Sequence, residues 1–268
     1  LKEDEDFFVT TFDPETNESV MKGKKKTGHR VYEGEYCIIY LASDENFEGV
    51  KKIEYGNDGK SYETDEDFCS NSDKKINIVD LENLGKRFDY LFPKVTGIMG
   101  SLDLSNTNSI NVINDDFDKV VIFVNDIDDD KFKPGFGVVG YFYGGDILID
   151  NLYSNQCRMI NLDSYFFQND INNSSKTCES TLVHELTHMC IFINKVCIKG
   201  NYGFFSWFTE MLAMITEDIL QNEIIGDYKP EDNNLFSSRL PYFNINYMNG
   251  FANWKKDDTN VGYLYGNT

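Results

Sequence analysis

The chain contains 268 residues, of which 41% are hydrophobic and 15% aromatic, which is enough to bury a core in one or two globular domains. Its formal net charge is −20, which makes binding to nucleic acid or to an anionic membrane surface unfavourable. No stretch approaches the roughly 18 consecutive apolar residues of a membrane-spanning helix. The sequence therefore indicates an acidic globular protein with no transmembrane segment in this chain.

The first half of the chain is predicted to contain two strands and one helix. Residues 1–26 are polar and charged, so we expect a frayed terminus. Residues 36–41 and 120–124 are apolar and β-rich, which is typical of buried strands. Between them, residues 76–91 have the spacing of an amphipathic helix, which Pro93 is expected to close.

Two further strands are predicted at residues 137–143 and 158–162, before a pair of helices. Glycines stand at positions 137, 140, 144 and 145, and glycine permits close approach of another backbone. We therefore expect residues 140–143 to form the edge of the sheet. The alternative is that these glycines only form a bulge or a hairpin turn.

The run TLVHELTH at residues 181–188 is the most informative part of the sequence. It holds two of the three histidines, one helical turn apart, with a glutamate beside the first. This is the signature of zinc hydrolases. On a helix, His184 and His188 project from one face about 5–6 Å apart and can aim ring nitrogens at one ion. Glu185 lies about 100° further round, where it can act as general base toward a water on that ion.

An alternative interpretation is a surface helix with two solvated histidines. The neighbouring residues argue against it, because an apolar stripe over much of a helix's circumference indicates burial. That stripe consists of Leu182, Val183, Leu186, Met189, Cys190 and Ile193.

A catalytic zinc requires a third protein ligand. The metzincin pattern places a glycine and a histidine where this chain has Ile191 and Asn194, so that class is excluded. Glu210 lies 22 residues after His188, at the spacing of gluzincins, and is the predicted third ligand. Asp218 and Glu179 remain alternative ligands, and Glu210 has the alternative role of a charge at a helix start.

Glu210 falls on a second predicted amphipathic helix, at residues 205–218. Its expected packing stripe consists of Phe208, Leu212, Ile215 and Ile219. Glu217 lies on nearly the same face as Glu210, so we expect it to accept a hydrogen bond from a ligand histidine.

Other candidate sites carry weaker signals. The run at residues 125–130 (NDIDDD) offers oxygen ligands for Ca²⁺ but fails the EF-hand register, so a solvated acidic loop is favoured. Tyr242 and Tyr247 are candidate oxyanion donors.

His29 lies in a basic patch and is expected at the surface. The six cysteines form no CxxC pair, and both a Cys190–Cys197 bridge and buried free thiols are open.

Several stretches of the chain, from about Gly34 onward, are similar to one family. They are residues 140–146 (GYFYGGD), 154–155 (SN) and 160–163 (INLD), the histidine motif, the run Trp207-x-x-Glu210-Met211-Leu212-x-Met214-x-x-Glu217-Asp218 and residues 239–244 (RLPYFN). They resemble the hyicolysin-type secreted bacterial zinc metallopeptidases, including spirochaete members. Thr209 and Met211 depart from relatives, which often have Asn or Gly there and usually continue beyond Gly266.

The resemblance implies that His184, His188 and Glu210 bind one zinc ion, that Glu185 is catalytic, and that the protein is secreted or displayed on a bacterial surface. The expected fold is α+β and zincin-like, a mixed sheet with an HExxH active-site helix followed by a helix that carries the third ligand. Residues 1–70 are expected to form an acidic, β-rich segment, and residues 71–268 the catalytic domain, whose C-terminal part is shorter than in relatives.

The predicted function is therefore zinc-dependent hydrolysis of peptide bonds within a protein or peptide substrate. In zincins, an extended peptide pairs with the edge strand beside the zinc helix. Two alternatives are a non-catalytic surface module that binds or adheres, and a hydrolase of a non-peptide amide. The sequence does not indicate an oligomeric state.

Overall fold

The computed structural model describes residues 4–12, 19–42, 76, 78–107, 110–114, 118–127, 138–173, 176–201 and 206–226. The strands are β1 (Asp4–Phe12), β2 (Ser19–Glu33), β3 (Cys37–Ala42), β4 (Val120–Asn125), β5 (Gly140–Phe142) and β6 (Met159–Asp163). The helices are α1 (Ile78–Met99), α2 (Ser164–Asn173), α3 (Thr177–Ile191), α4 (Ser206–Ile219) and α5 (Gln221–Ile225). A short 3-10 turn spans Gly144–Ile147, and a π-helical segment, Phe192–Cys197, follows α3 directly.

The six strands form one mixed sheet in the order β1-β2-β3-β4-β6-β5. β3, β4 and β6 are parallel, while β1, β2 and β5 pair with antiparallel neighbours. This arrangement confirms the α+β class and the mixed sheet. Strands from both sides of residue 70 lie in this sheet, and the division into two domains stays a prediction.

The central strands β3, β4 and β6 are buried along their whole length. Continuous apolar runs of this kind are typical of parallel strands covered on both faces. α1 packs on β2 and β3, α3 packs on β5 and β6, and the two helices contact each other. The three strands predicted at residues 36–41, 120–124 and 158–162 are thus confirmed to within one or two residues.

The expectation of a frayed N-terminus is wrong, because residues 4–12 and 19–33 form two paired strands. Phe7 and Val9 alternate into the core, and the Phe7 ring packs 4.9 Å from that of Phe123. Lys26 is buried and its Nζ donates a hydrogen bond to the Asp126 carbonyl at 2.6 Å. His29 is also buried, hydrogen-bonded to a carboxylate at the start of β1, so its expected surface position is wrong.

Pro93 does not close the first helix, because α1 continues to Met99. The next residue, Gly100, has φ +101° and lies outside the helix. A proline inside a helix removes one hydrogen bond and costs about 3 kcal/mol. Leu91 and Val95 flank Pro93 and are both buried. Burying side chains of this size contributes about 1.5–3 kcal/mol each, which offsets the cost of the proline.

Three of the four residues in the packing stripe predicted for α4 are exposed, and only Leu212 is half-buried. Phe208, Ile215 and Ile219 are 37%, 43% and 58% exposed, whereas Ala213, Thr216, Glu217 and Leu220 are buried. The helix is rotated so that Glu210 and Glu217 face α3, where both carboxylates contact histidine. Polar contacts, rather than the apolar stripe, therefore define the buried side of α4. Within the described residues, no helix has the length and apolar character that crossing a bilayer requires.

Candidate metal centre

Three predicted ligands converge where α3 and α4 cross. The Nε2 atom of His184 lies 3.1 Å from Oε2 of Glu210, and the Nε2 atom of His188 lies 3.3 Å from Oε1 of Glu210. The two Nε2 atoms are 3.0 Å apart. In the part of the chain that the structure describes, this is the one group of three or more His, Cys, Asp or Glu side chains able to hold a metal ion.

The donor set fits zinc. With zinc–ligand bonds of about 2.0–2.2 Å, neighbouring ligand atoms of a tetrahedral site lie about 3.3–3.6 Å apart, slightly more than the 3.0–3.3 Å observed here. Two imidazole nitrogens and one carboxylate also leave a fourth position open, as catalytic zinc sites do. The two Nε2 atoms face each other, and a cation between them removes the repulsion of their lone pairs.

Electrostatics at the cluster favour a positive charge. Burial by itself lowers the pKa of His184, but hydrogen bonds to Glu210 and Glu217 outweigh this effect and raise the pKa to about 10. Burial by itself raises the pKa of Glu210, yet hydrogen bonds from His184 and His188 hold it well below its usual value. The carboxylates therefore stabilise a cation at this position, whether a proton or a metal ion.

Glu217 hydrogen-bonds the nitrogen of His184 that does not face the other ligands. Its Oε1 lies 2.7 Å from Nδ1 of His184, the position expected for an acceptor that fixes the tautomer of a ligand histidine. With Nδ1 protonated, Nε2 presents its lone pair to the cluster. The other oxygen of Glu217 accepts a hydrogen bond from Ser180. Sequence reasoning missed Ser180, although its position four residues before His184 on one helix face was a usable signal.

Glu185 lines the same cavity as the cluster. Its Oε2 accepts a 2.9 Å hydrogen bond from the backbone N–H of Phe142 on strand β5. Burial raises the pKa of the Glu185 carboxyl, and the two histidines partly counteract this increase. Glu185 is thus held between the metal cluster and the sheet edge.

The alternative ligands lie outside the cluster. Glu179 forms ion pairs with Arg87 at 2.9 Å and with Lys176 at 2.5 Å. Asp218 follows Glu217 on α4 but does not belong to the group of converging donors. Glu210 lies near the start of α4, and its carboxylate is directed at the histidines.

Strand β5 forms the edge of the sheet beside α3, as predicted. A Cβ atom at Gly140 would lie 2.8 Å from both the Asn161 carbonyl and Cγ2 of Thr181. The glycine therefore allows β5 to approach α3 closely. Gly144 and Gly145 lie in the 3-10 turn, and the pairing of β5 with β6 contains no bulge, so the edge-strand interpretation is the one that the structure supports. Gly137 lies outside the described residues.

The remaining sequence predictions have mixed outcomes. The described cysteines, Cys37, Cys157, Cys178, Cys190 and Cys197, are buried free thiols, and Cys69 lies outside the described residues. The Cys190–Cys197 bridge is wrong, because the chain remains helical past Asn194 through Cys197. Tyr242, Tyr247 and residues 128–130 of the calcium hypothesis lie outside the described residues, so their roles stay predictions.

A mixed sheet whose edge strand borders a helix with two histidines and a glutamate is compatible with a peptidase domain. The family model described as Peptidase M30 matches residues 76–261, more than half of the chain. The chain belongs to the Peptidase M30 family, which confirms the family that the sequence resembles. Membership implies a peptidase that acts on protein or peptide substrates. No curated protein matches the chain.

Proposed function

We propose that this chain is a zinc-dependent endopeptidase in which His184, His188 and Glu210 bind one zinc ion and Glu185 is the general base. The observation that carries the proposal is the convergence of three donor atoms at zinc-like separations, with Glu185 in the same cavity. The His-Glu-x-x-His spacing and the Glu210 position support assignment to the gluzincins.

The residues of the site divide the chemistry among them. When bound, zinc lowers the pKa of water to about 7 and polarises a carbonyl oxygen. Glu185 accepts the proton of the attacking water at one carboxylate oxygen, while the Phe142 N–H holds the other. Glu185 then returns this proton to the leaving amine. Glu217 keeps His184 in the tautomer that binds metal.

The substrate binds as an extra strand on the sheet. β5 pairs with β6 on one side only, so its other side is a sheet edge. An extended peptide that adds to this edge passes beside His184, Glu185 and His188. We further propose, from the resemblance to secreted bacterial metallopeptidases, that the protein acts outside the cell or on its surface.

The test combines metal analysis with proteolysis of casein, an unstructured protein. Dialysed wild type and Glu185→Gln are both expected to retain about one zinc per chain, because Glu185 is not a ligand. Casein cleavage by Glu185→Gln is expected to fall by about 10²- to 10⁴-fold, the usual cost of losing a general base. Phenanthroline should abolish wild-type activity, and added zinc should restore it.

Glu82→Gln is the matched control, because Glu82 is a surface glutamate that pairs with Lys86. It should cleave casein like the wild type. The proposal fails if zinc-loaded wild type cleaves nothing in a broad peptide library. If zinc-loaded wild type and Glu185→Gln bind casein equally tightly without cleaving it, the chain is a binding module.

A further inference from the structure

We propose that the cavity beside the metal cluster binds a large apolar side chain of the substrate, on the amino-terminal side of the scissile bond. Phe192 and Val196 are the residues that set this preference. The inference rests on the proposed function, because it assigns a subsite to the same cavity.

One end of the cavity carries the metal-cluster residues and Glu185, and the other end is apolar. The volume of the cavity is about 440 Å³. The described lining consists of four titratable residues (His184, Glu185, His188 and Glu210), the hydroxyl-bearing Tyr141 and Thr209, and four apolar residues that form the apolar end (Phe142, Ile191, Phe192 and Val196). The apolar end contains no lysine or arginine among its described lining residues, so it offers no cationic partner to an acidic substrate side chain. An acidic substrate side chain is therefore disfavoured, and an apolar one is favoured.

The π-helical segment explains how the apolar wall stays aligned with the metal site. Along an α-helix, four residues turn about 400°, so positions four apart drift by about 40° per step. The π-helix has a wider turn, with hydrogen bonds such as that from the Ile198 N–H to the Ile193 carbonyl at 3.0 Å. Because a wider turn rotates less per residue, four residues of π-helix turn through less than the 400° of four α-helical residues. This smaller rotation compensates for the angular drift that accumulates along α3. Val196 therefore remains on the face that carries His188 and Phe192.

The ring of Phe192 is held in place from the sheet side. It packs edge-to-face with Phe142 on β5, with ring centroids 5.8 Å apart. A Cβ atom at Gly144 would lie 2.5 Å from Cε2 of Phe192, so this glycine provides the space that the ring occupies. The wall is a fixed surface built by three elements rather than by one side chain.

The direction of the substrate follows from the direction of β5. Gly140 lies against Thr181, and Phe142 contacts both Glu185 and Phe192, so β5 and α3 run the same way. In protein sheets, antiparallel strand pairs outnumber parallel ones by about two- to three-fold, so the added peptide is taken to run antiparallel to β5. A peptide antiparallel to β5 enters with its amino-terminal side at Phe192 and its carboxyl-terminal side toward Thr181. The residue in the apolar end thus precedes the scissile bond.

The experiment measures kcat/KM for peptides Ala-Ala-Xaa-Ala-Ala with Xaa as Phe, Leu, Ala or Asp, and maps the cleaved bonds in casein. Wild type is expected to prefer Phe or Leu over Ala by about tenfold or more, with cleavage after Xaa, because a buried side chain of this size is worth that factor. Phe192→Ala should reduce this ratio to about threefold or less. Val196→Phe, which fills the cavity, should invert the preference toward Ala.

Two further variants test whether the preference depends on the position of the Phe192 ring. Gly144→Ala changes no residue of the wall but displaces the Phe192 ring, so it should weaken the preference in the same direction. Leu152→Ala replaces a residue that is 79% exposed and lies outside the cavity, and it should behave like the wild type. Equal rates for all four peptides, or enrichment of apolar residues only after the cleaved bond, would overturn the proposal.

A binding measurement separates failure of the subsite from failure of the proposed function. Calorimetry with zinc-loaded Glu185→Gln compares the Phe and Ala peptides without requiring turnover. Tighter binding of the Phe peptide by about tenfold, lost in the Phe192→Ala double variant, supports the subsite even if no peptide is cleaved. Equal binding of both peptides rejects the subsite even if casein is hydrolysed.

Discussion

The metal-site helices (α3 and α4) and the N-terminal strand pair (β1 and β2) are held by contacts of different range along the chain. His184 meets Glu210 and Glu217 across 26 and 33 residues. Phe8 meets Asn155 across 147 residues, and Lys26 meets Asp126 across 100. The first region joins two successive helices, whereas the second is fixed by loops far along the chain.

Because of this difference, we expect substitutions in the two regions to affect different properties of the protein. The candidate metal site requires that α3 and α4 keep their relative position, and the contacts between these helices at the site are made by His184, Glu210 and Glu217 themselves. The strand pair is an edge of the sheet, and Asn155 bonds both the N–H and the carbonyl of Phe8 as a neighbouring strand would. We therefore expect changes at the site to alter zinc affinity, and changes at the strand pair to alter the free energy of unfolding.

The largest expected effect comes from Glu210→Ala, which breaks the metal site alone. Structural zinc sites with four protein ligands bind zinc with about 10–16 kcal/mol, which corresponds to about 2.5–4 kcal/mol for each ligand. Zinc affinity should therefore fall about 100- to 1000-fold, as measured by competition with a chromogenic chelator. Asp218→Ala, on the same helix, is the matched control and should retain zinc. Unchanged affinity in Glu210→Ala would contradict the assignment of Glu210 as a zinc ligand.

Asn155→Ala is expected to break the strand pair alone. It removes two hydrogen bonds to Phe8, of 2.6 and 2.8 Å, and the side-chain hydrogen bond to Asp146, of 2.9 Å. The Phe8 backbone groups are left without their partner. The free energy of unfolding should fall by about 2–3 kcal/mol, measured by urea denaturation. Asn106→Ala, at an exposed asparagine, should change it by less than about 0.5 kcal/mol. A fall in zinc affinity with unchanged stability would contradict the separation of the two regions.

The carboxylate beneath Asn155 gives the strand pair a pH dependence. Asp146 is buried and its Oδ1 accepts hydrogen bonds from the backbone and side chain of Asn155 at 3.0 and 2.9 Å. Burial raises the pKa of Asp146 to about 7, although these hydrogen bonds act in the opposite direction. The folded chain therefore binds more protons than the unfolded chain between about pH 4 and 7. Stability from this group is fully present below pH 4 and is lost as the pH rises through 7.

Asp146→Asn removes this titration while keeping an oxygen that accepts from Asn155. With pKa values of 3.8 unfolded and about 7 folded, the contribution of Asp146 to unfolding free energy falls by about 2 kcal/mol between pH 5.5 and 8. The variant should gain this amount relative to wild type over the same interval, measured by urea denaturation at both pH values. The metal site is common to both proteins, so its own pH dependence cancels. An equal difference at both pH values would reject the raised pKa.

The range of the contacts also explains what the sequence predicts well. The i, i+4 spacing of His184 and His188 is a property of one helix, so it is visible in eight consecutive residues. The central strands are visible because β-branched runs buried on both faces are uninterrupted. The approach of Glu210 to the two histidines is predictable because α4 is the next α-helix after α3 in the chain. These features need no knowledge of distant segments.

The features that sequence reasoning missed depend on tertiary packing that the local pattern does not show. The lysines at positions 24–26 look like a solvated segment, and only the carbonyl of Asp126 explains why Lys26 is buried. The rotation of α4 depends on Glu217 reaching His184 and Ser180, against the apolar stripe of its own sequence. Pro93 is tolerated because the core lies on both sides of it. Tertiary contacts override local propensity in each case.

The smallest effect is expected from Ser180→Ala, which tests whether the metal site extends beyond its ligands. Ser180 is buried and its hydroxyl donates to the Glu217 oxygen that does not contact His184. Loss of this bond frees Glu217 to move, so His184 is held less firmly in its metal-binding tautomer. Partners outside the ligand shell affect metal affinity by about 10- to 100-fold. Because Ser180 acts through Glu217, zinc affinity should fall by about tenfold or less.

A double-variant cycle with Glu217→Gln decides how Ser180 acts. If Ser180 works through the Glu217 carboxylate, its removal should change zinc affinity little once that carboxylate is gone, so the two effects should not add. Fully additive effects would show that Ser180 acts on α3 by another route. Ser180→Thr keeps the hydroxyl and should recover most of the affinity, whereas a packing defect would not be rescued this way. Unfolding by urea, run on the same variants, should change far less than in Asn155→Ala, because the site depends on its own helices and not on the distant strand pair.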